Sequence, residues 1–105
     1  MKMYVLVRTD LYSCAYSAVQ AGHALAEYMI DYPNNVGEDG RWENGTLIYL
    51  GVPDEETLRS WYDKLCGYDV SAFWEPDIGL EMTAVCALDY PDHRLQELFK
   101  DLPLL

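Results

Sequence analysis

Three observations predict an α/β fold: a three-layer α/β/α sandwich around a mixed four-stranded sheet. Apolar strand-like runs alternate with helix-length amphipathic segments in the order β-α-β-α-β-β-α. Each of the first two strands is followed by a helix long enough to cross the sheet, which favours parallel strands. Only Pro76-Asp77-Ile78-Gly79-Leu80 separates the last two strands, and so short a connection favours an antiparallel pair. The 105 residues fit one domain spanning 1–105, with no internal repeats or low-complexity segments. With 50% apolar and 13% aromatic residues, the chain can fill a core and does not have the composition of a disordered segment.

The first strand is expected over Met3 to Arg8, where Tyr4-Val5-Leu6-Val7 is a continuous apolar run suited to burial on both faces. A helix follows from about Ser13, a plausible N-cap, to about Asp31, with Pro33 as its stop. At about 100° per residue, Ala15, Ala18, Gly22, Leu25 and Met29 share one face, and the small Ala18, Ala21 and Gly22 predict unusually close packing of the helix on the sheet. The opposite stripe, Tyr16, Gln20, His23 and Glu27, is polar. Tyr32 to Asn44 is rich in Pro, Asn, Gly and acid, a long linker that is expected to be mobile or to cover a site. Thr46 to Val52 is the second strand. Asp54 caps a second helix to about Gly67, with Leu58, Trp61, Tyr62 and Leu65 inward. Val70 to Glu75 and Glu81 to Leu88 complete the sheet. Tyr90-Pro91-Asp92 opens a last helix through about Leu102, with Leu95, Leu98 and Phe99 inward.

Eighteen acidic residues against seven basic ones give a formal charge of −11. Proteins that hold long nucleic acids by their phosphates draw on Lys and Arg, so weak or no binding of long nucleic acid is expected. The charge serves solubility, a small ligand, or presentation of acid to a basic partner. Cys14, Cys66 and Cys86 are widely spaced with no CxxC and read as buried thiols of a reducing compartment. No apolar run approaches the ~18 residues of a membrane span. Met1-Lys2-Met3 leads straight into a strand, so no signal peptide is expected. These features point to the cytoplasm, with no membrane partner; a homodimer stays open.

Sites in open α/β sheets lie beyond the carboxyl ends of strands, where helices begin. Thr9-Asp10 at the end of the first strand, with Tyr16 and Gln20 on the helix that follows, is therefore the first place to look. Asp10, Glu75, Asp77 and Glu81 can gather as a hard-cation site, although turn chemistry alone also clusters carboxylates. His23 is either a general base oriented by Glu27 or an exposed i, i+4 pair. Trp42, Trp61 and Trp74 suit the core or its edge, and Trp74 can instead stack on a base. Neither a P-loop nor a dinucleotide fingerprint occurs. No cofactor and no metal is expected.

Val7-Arg8-Thr9-Asp10-Leu11, Gln20 and His23-Ala24 resemble the first strand, loop and helix of type 2 peptidyl-tRNA hydrolases. That family typically reads VRTDL, a Gly-Lys pair, then Ala-Gln and His-Ala. Here Ala15-Tyr16 stands at the Gly-Lys pair after a one-residue shortening. The resemblance continues through Trp42, Gly45 and the second strand to the ending Asp101-Leu102-Pro103-Leu104-Leu105. Gly79 and Thr83 echo the family's Asp-Ala-Gly-x-Thr loop, with either Glu75 or Asp77 in place of its carboxylate. The resemblance implies an ester hydrolase with Asp10, Glu75, Asp77 and Thr83 as the catalytic set. Thr9, Tyr16, Gln20, His23, Trp74 and Gly79 would then contact an aminoacyl- or peptidyl-nucleotide ligand. In the family, the helix Lys steadies the oxyanion while the carboxylate positions water. A phenol at that place brings one hydrogen bond and no charge. The other reading is a non-enzymatic acidic binder on the same fold, holding a small nucleotide-like ligand or blocking a basic partner.

Overall fold

A computed structural model describes residues 1–39, 41–91 and 94–105. The chain folds as β1 (Lys2–Arg8), α1 (Cys14–Asp31), β2 (Thr46–Val52), α2 (Glu55–Lys64), β3 (Val70–Glu75), β4 (Glu81–Asp89) and α3 (Leu95–Leu98). The sheet order is β2-β1-β4-β3, with β1 parallel to β2 and antiparallel to β4, and β3 antiparallel to β4. The predicted mixed four-stranded sheet and its element order are therefore present. The two strands joined by α2, β2 and β3, lie at opposite edges of the sheet.

β1 shows why the sheet needs helices on both faces. Met3, Val5 and Val7 are buried beneath α1 in a cluster with Ala21, Ala24 and Tyr28. Tyr4 and Leu6 alternate to the other face and meet Leu58 and Leu65 near α2, and Leu95 and Phe99 near α3. Each fully buried aliphatic of this kind contributes about 1.5–3 kcal/mol before conformational entropy is counted.

α1 begins as predicted: the Ser13 hydroxyl accepts the Tyr16 N–H at 3.1 Å. Its orientation differs from the prediction. The buried face is Ser17, Gln20, Ala21, Ala24 and Tyr28, with Leu25 partly buried beside it, while Ala15, Ala18 and Met29 are exposed and open space lies where a Cβ on Gly22 would point. The small-residue stripe thus faces outward, because Tyr28 and the Ala21-Ala24 pair fill the space over β1 and β4 and Gln20 has buried partners there.

α2 is capped by Asp54, whose carboxylate accepts the Thr57 N–H at 2.8 Å, and it ends at Lys64. Gly67, in the predicted stop, adopts φ 98° in the turn that follows. The last helix is a single turn. Asp89 at the end of β4 accepts the Leu95 and Gln96 N–H groups, and Leu95 and Phe99 turn inward while Leu98 stays 42% exposed. The predicted start at Asp92 lies outside the described residues. Segment 103–105 runs antiparallel along the outer edge of β2: Pro103 accepts the Gly51 N–H and Leu105 donates to Tyr49.

The 32–44 linker forms a 3₁₀ turn over Pro33–Asn35 and a Val36–Trp42 bridge at the carboxyl end of α1. Its described residues sit far along the helix from the end of β1, and none of them lines the cleft there. Cys86 is buried, and burial pushes its thiol pKa up; Cys14 and Cys66 are exposed, contrary to expectation. Among the described residues no helix is long and apolar enough to cross a membrane.

Candidate functional site

At the carboxyl end of β1 a cavity of about 280 Å³ opens between Arg8, Asp10, Tyr12, Tyr16, Ile78 and Glu81. Two larger hollows lie elsewhere. One, of about 470 Å³, is lined by Met29 and Trp42; the other, of about 530 Å³, is lined by Tyr32, Tyr62 and Cys66. Neither includes the end of β1 or the first turn of α1.

The floor of the cleft is built by Arg8. Arg8 is 7% exposed as a residue, and its guanidinium grips Asp10 through Nε at 2.8 Å and Nη2 at 3.0 Å. Nη1 reaches Glu81 at 2.7 Å and the Met82 carbonyl at 3.2 Å. The Asp10 contact first, then Glu81, drives the Arg8 pKa further up, and Arg8 holds the Asp10 carboxyl below its usual range. Charge-assisted forks of this kind fix geometry as well as charge. Ser17 ties the wall to the floor, its hydroxyl donating to the Arg8 carbonyl at 2.8 Å.

Gln20 is the buried clamp of the site. Its Oε1 accepts the Thr83 hydroxyl at 2.7 Å and its Nε2 donates to Glu75 Oε1 at 3.3 Å. A bulge makes this possible. Phe73 pairs with Ala84 but Trp74 with Met82, so Thr83 is the extra residue, and it faces α1 together with Ala84. The Met82 N–H next to the bulge donates to Glu55 of α2 at 2.7 Å.

Tyr16 stands above this clamp. Its ring meets Tyr12 edge-on at 5.5 Å. Its hydroxyl oxygen is buried and has no hydrogen-bond partner. Burial, then the negative charges of Glu75 and Asp77, push the phenol pKa above its ordinary value. Tyr16 is therefore a neutral donor at physiological pH.

The predicted residues divide by place. Asp10 and Tyr16 line the cleft, Gln20 and Glu75 form the clamp behind it, and Asp77 lies within electrostatic reach of Tyr16. Thr83 is wholly buried and reaches Glu75 only through Gln20. Gly79, at φ 75°, contributes the backbone reversal before β4. Thr9 is turned toward β2, donating its hydroxyl and its N–H to the Val52 carbonyl. His23 stacks on Phe73 at 4.4 Å instead of pairing with Glu27. Trp74 packs edge-on against Tyr62 of α2, away from α1. Asp10 and Glu81 are engaged by Arg8, and among the described residues no group of three His, Cys, Asp or Glu side chains could hold a metal ion. Sequence reasoning missed Ser17 and Glu55. Ser17, a small polar residue one position from Tyr16 inside a helix, was a usable signal. Glu55 was not, because its partner is exposed only by the bulge.

The model of the family described as peptidyl-tRNA hydrolase PTH2 matches residues 1–105, the whole chain. The chain belongs to the PTH2 family. A comparison with curated proteins gave no match. Asp10 and Tyr16, which the sequence resemblance singled out, both lie at the carboxyl end of β1. In this PTH2 chain that place offers a neutral phenol, a clamped carboxylate and a guanidinium already engaged by two acids.

Proposed function

We propose that this PTH2-family chain is a divergent peptidyl-tRNA hydrolase-like protein that takes the ester end of an aminoacyl- or peptidyl-nucleotide into the cleft between Asp10, Tyr16 and Glu75. The observation that carries this is the unpartnered Tyr16 hydroxyl in the cleft, whose phenol feels the negative charge of Glu75, itself held by the Gln20 clamp. In this reading Tyr16 donates to the ester carbonyl and Glu75 positions a water for attack, with Asp77 beside it. Thr83 and Gln20 act as positioning residues. Arg8 and Asp10 fix the floor, and Arg8 has little charge to spare for an oxyanion, because Asp10 and Glu81 neutralise it. Where one preorganised oxyanion donor is lost, turnover typically falls by about 10²–10³, so hydrolysis should be slow.

The saturated Arg8 and the charge of −11 favour a second reading, a non-enzymatic acidic binder of a small nucleotide-like ligand or a basic partner. One assay separates the two: peptidyl-tRNA hydrolysis by wild type and Tyr16→Lys beside a reference PTH2 enzyme at equal concentration. Slow wild-type turnover that rises in Tyr16→Lys supports the hydrolase reading. No turnover in either protein leaves the binder.

A further inference from the structure

We propose that the outer edge of β3 is a docking site for an extended, arginine-bearing peptide of a partner protein, with the arginine seated in the tyrosine-lined hollow at the start of the strand. This surface lies apart from the cleft. β1 and β3 both run antiparallel to β4, so β3 begins at the end of the sheet away from Asp10 and Tyr16.

The edge is the first ground. The sheet order leaves β2 and β3 at its two margins. Segment 103–105 covers the outer side of β2, whereas no described strand or bridge pairs with the outer side of β3. An uncovered strand offers backbone donors and acceptors to any extended chain, and proteins ordinarily block it with Lys, Pro or a bulge. Val70-Ser71-Ala72-Phe73-Trp74-Glu75 contains neither Lys nor Pro. The bulge lies opposite Phe73 and Trp74, so Val70 to Ala72 keep a regular register.

The hollow of about 530 Å³ is the second ground, and it selects the occupant. Tyr32 enters it from the α1 side of the sheet and Tyr62 and Tyr68 from the α2 side, so it straddles the edge beside Val70. All three tyrosines are half-buried. The Tyr32 hydroxyl donates to the Val70 carbonyl at 3.3 Å and the Tyr62 ring meets Trp74 edge-on, which holds both rings in place. Asp63 is exposed and is the only charged residue of the lining. Lys64, next in sequence, instead carries its ammonium over the Trp61 ring, 4.6 Å from the centroid. Aromatic rings beside one carboxylate complement a guanidinium, which stacks on the rings and forks onto the acid. The aromatic surface continues along the edge to Trp74, 39% exposed, against which an apolar residue of the same peptide would pack. A second copy of this chain is the poorer occupant, because each copy carries a charge of −11.

The test titrates the intact protein with the blocked peptide acetyl-Arg-Val-Arg-Val-Arg-Val-amide, followed by calorimetry and amide NMR. One control replaces each arginine by citrulline, which removes the charge. The other keeps the charge and N-methylates the internal amides, which removes the main-chain donors. The arginine peptide should bind at least ~10-fold more tightly than either control, as expected where charged and main-chain hydrogen bonds are both used. It should also shift residues 62–75 and slow hydrogen exchange in β3. Asp63→Asn should remove most of the preference over citrulline, and Tyr62→Ala should weaken the arginine peptide. Glu97→Gln, at an exposed acid of α3, should change nothing. Asp63 is exposed, so its variant decides the matter even where Tyr62→Ala misfolds. Equal binding of the N-methylated peptide, an equal loss in Glu97→Gln, shifts confined to residues 8–16, or no binding would overturn the inference. So would a dimer of the protein alone that protects the β3 amides, because a second copy would then be the occupant.

Discussion

Gly22 separates two accounts of α1 at the level of one side chain. A glycine that lets a helix lie against a sheet must stay glycine, whereas a glycine in open space only costs helix propensity. Nothing lies within 4 Å of where its Cβ would be, and its φ is not positive. Gly22→Ala should therefore stabilise the protein by about 0.5–1 kcal/mol, read as a higher melting temperature. A loss would restore the close-packed face that the sequence suggested. Asp10 is a second residue with a sharp expectation. Arg8 holds its carboxyl below the usual range, so the folded state favours the ionised form more than the unfolded chain does. That stability is fully present above the unfolded pKa of about 3.9, and it is lost as pH falls through the lower folded value. Asp10→Asn should thus melt earlier than wild type at pH 7, and the two curves should converge from about pH 4 downward. A gap that persisted unchanged at pH 2 would mean that the Arg8 pairing is not its source.

Elements were legible in the sequence where one local signal decided them. Ser13 and Asp54 fixed two helix starts, because a side-chain oxygen before a helix finds an orphan N–H in its first turn. The continuous apolar run of β1 marked a central strand. The failures are rotational and non-local. Both faces of α1 carry small or apolar residues, so periodicity alone could not say that Gln20 and Tyr28 turn inward. The bulge at Thr83 depends on β3 meeting β4, and without it neither the Gln20 clamp nor the Glu55 contact could be placed. The tail on β2 is equally non-local. Segment 103–105 covers the outer edge of β2 through two backbone hydrogen bonds, with Leu105 packed against the α1-side cluster. Deleting residues 103–105 should cost about 1–3 kcal/mol and leave an open parallel edge. Urea melts would show the lost stability, and light scattering would show association that grows with concentration. An unchanged midpoint would mean that the tail is a passive end.

Over the whole molecule, the cations decide how far the family's nucleic-acid chemistry can extend. Seven Lys and Arg side chains face eighteen acids. Among the described residues, six of the seven meet a partner: Lys2 donates to Gln96, Arg8 to Asp10 and Glu81, and Arg41 to the Glu38 carbonyl. Arg59 pairs with Glu55, Lys64 lies 4.6 Å from the Trp61 ring centre, and Lys100 pairs with Glu97. The exposed pairs among them are individually weak, yet at Arg8, Arg59 and Lys100 a phosphate would still have to compete with a carboxylate already in place. Binding of a single-stranded or duplex backbone through Z phosphates gives a slope of about −0.7 to −0.9 per phosphate in log K against log salt. Here the surrounding field is repulsive and is itself relieved as salt rises. The expected slope for tRNA is therefore between zero and about −1, with affinity weak throughout, whereas a small aminoacyl-nucleoside bound in the cleft should show the same flat response at much tighter affinity. Fluorescence anisotropy with labelled tRNA from about 25 to 300 mM salt measures the slope directly. A slope of −3 or steeper would mean that several cations leave their internal partners for phosphate, and the protein would then have to be read as a nucleic-acid binder in spite of its charge.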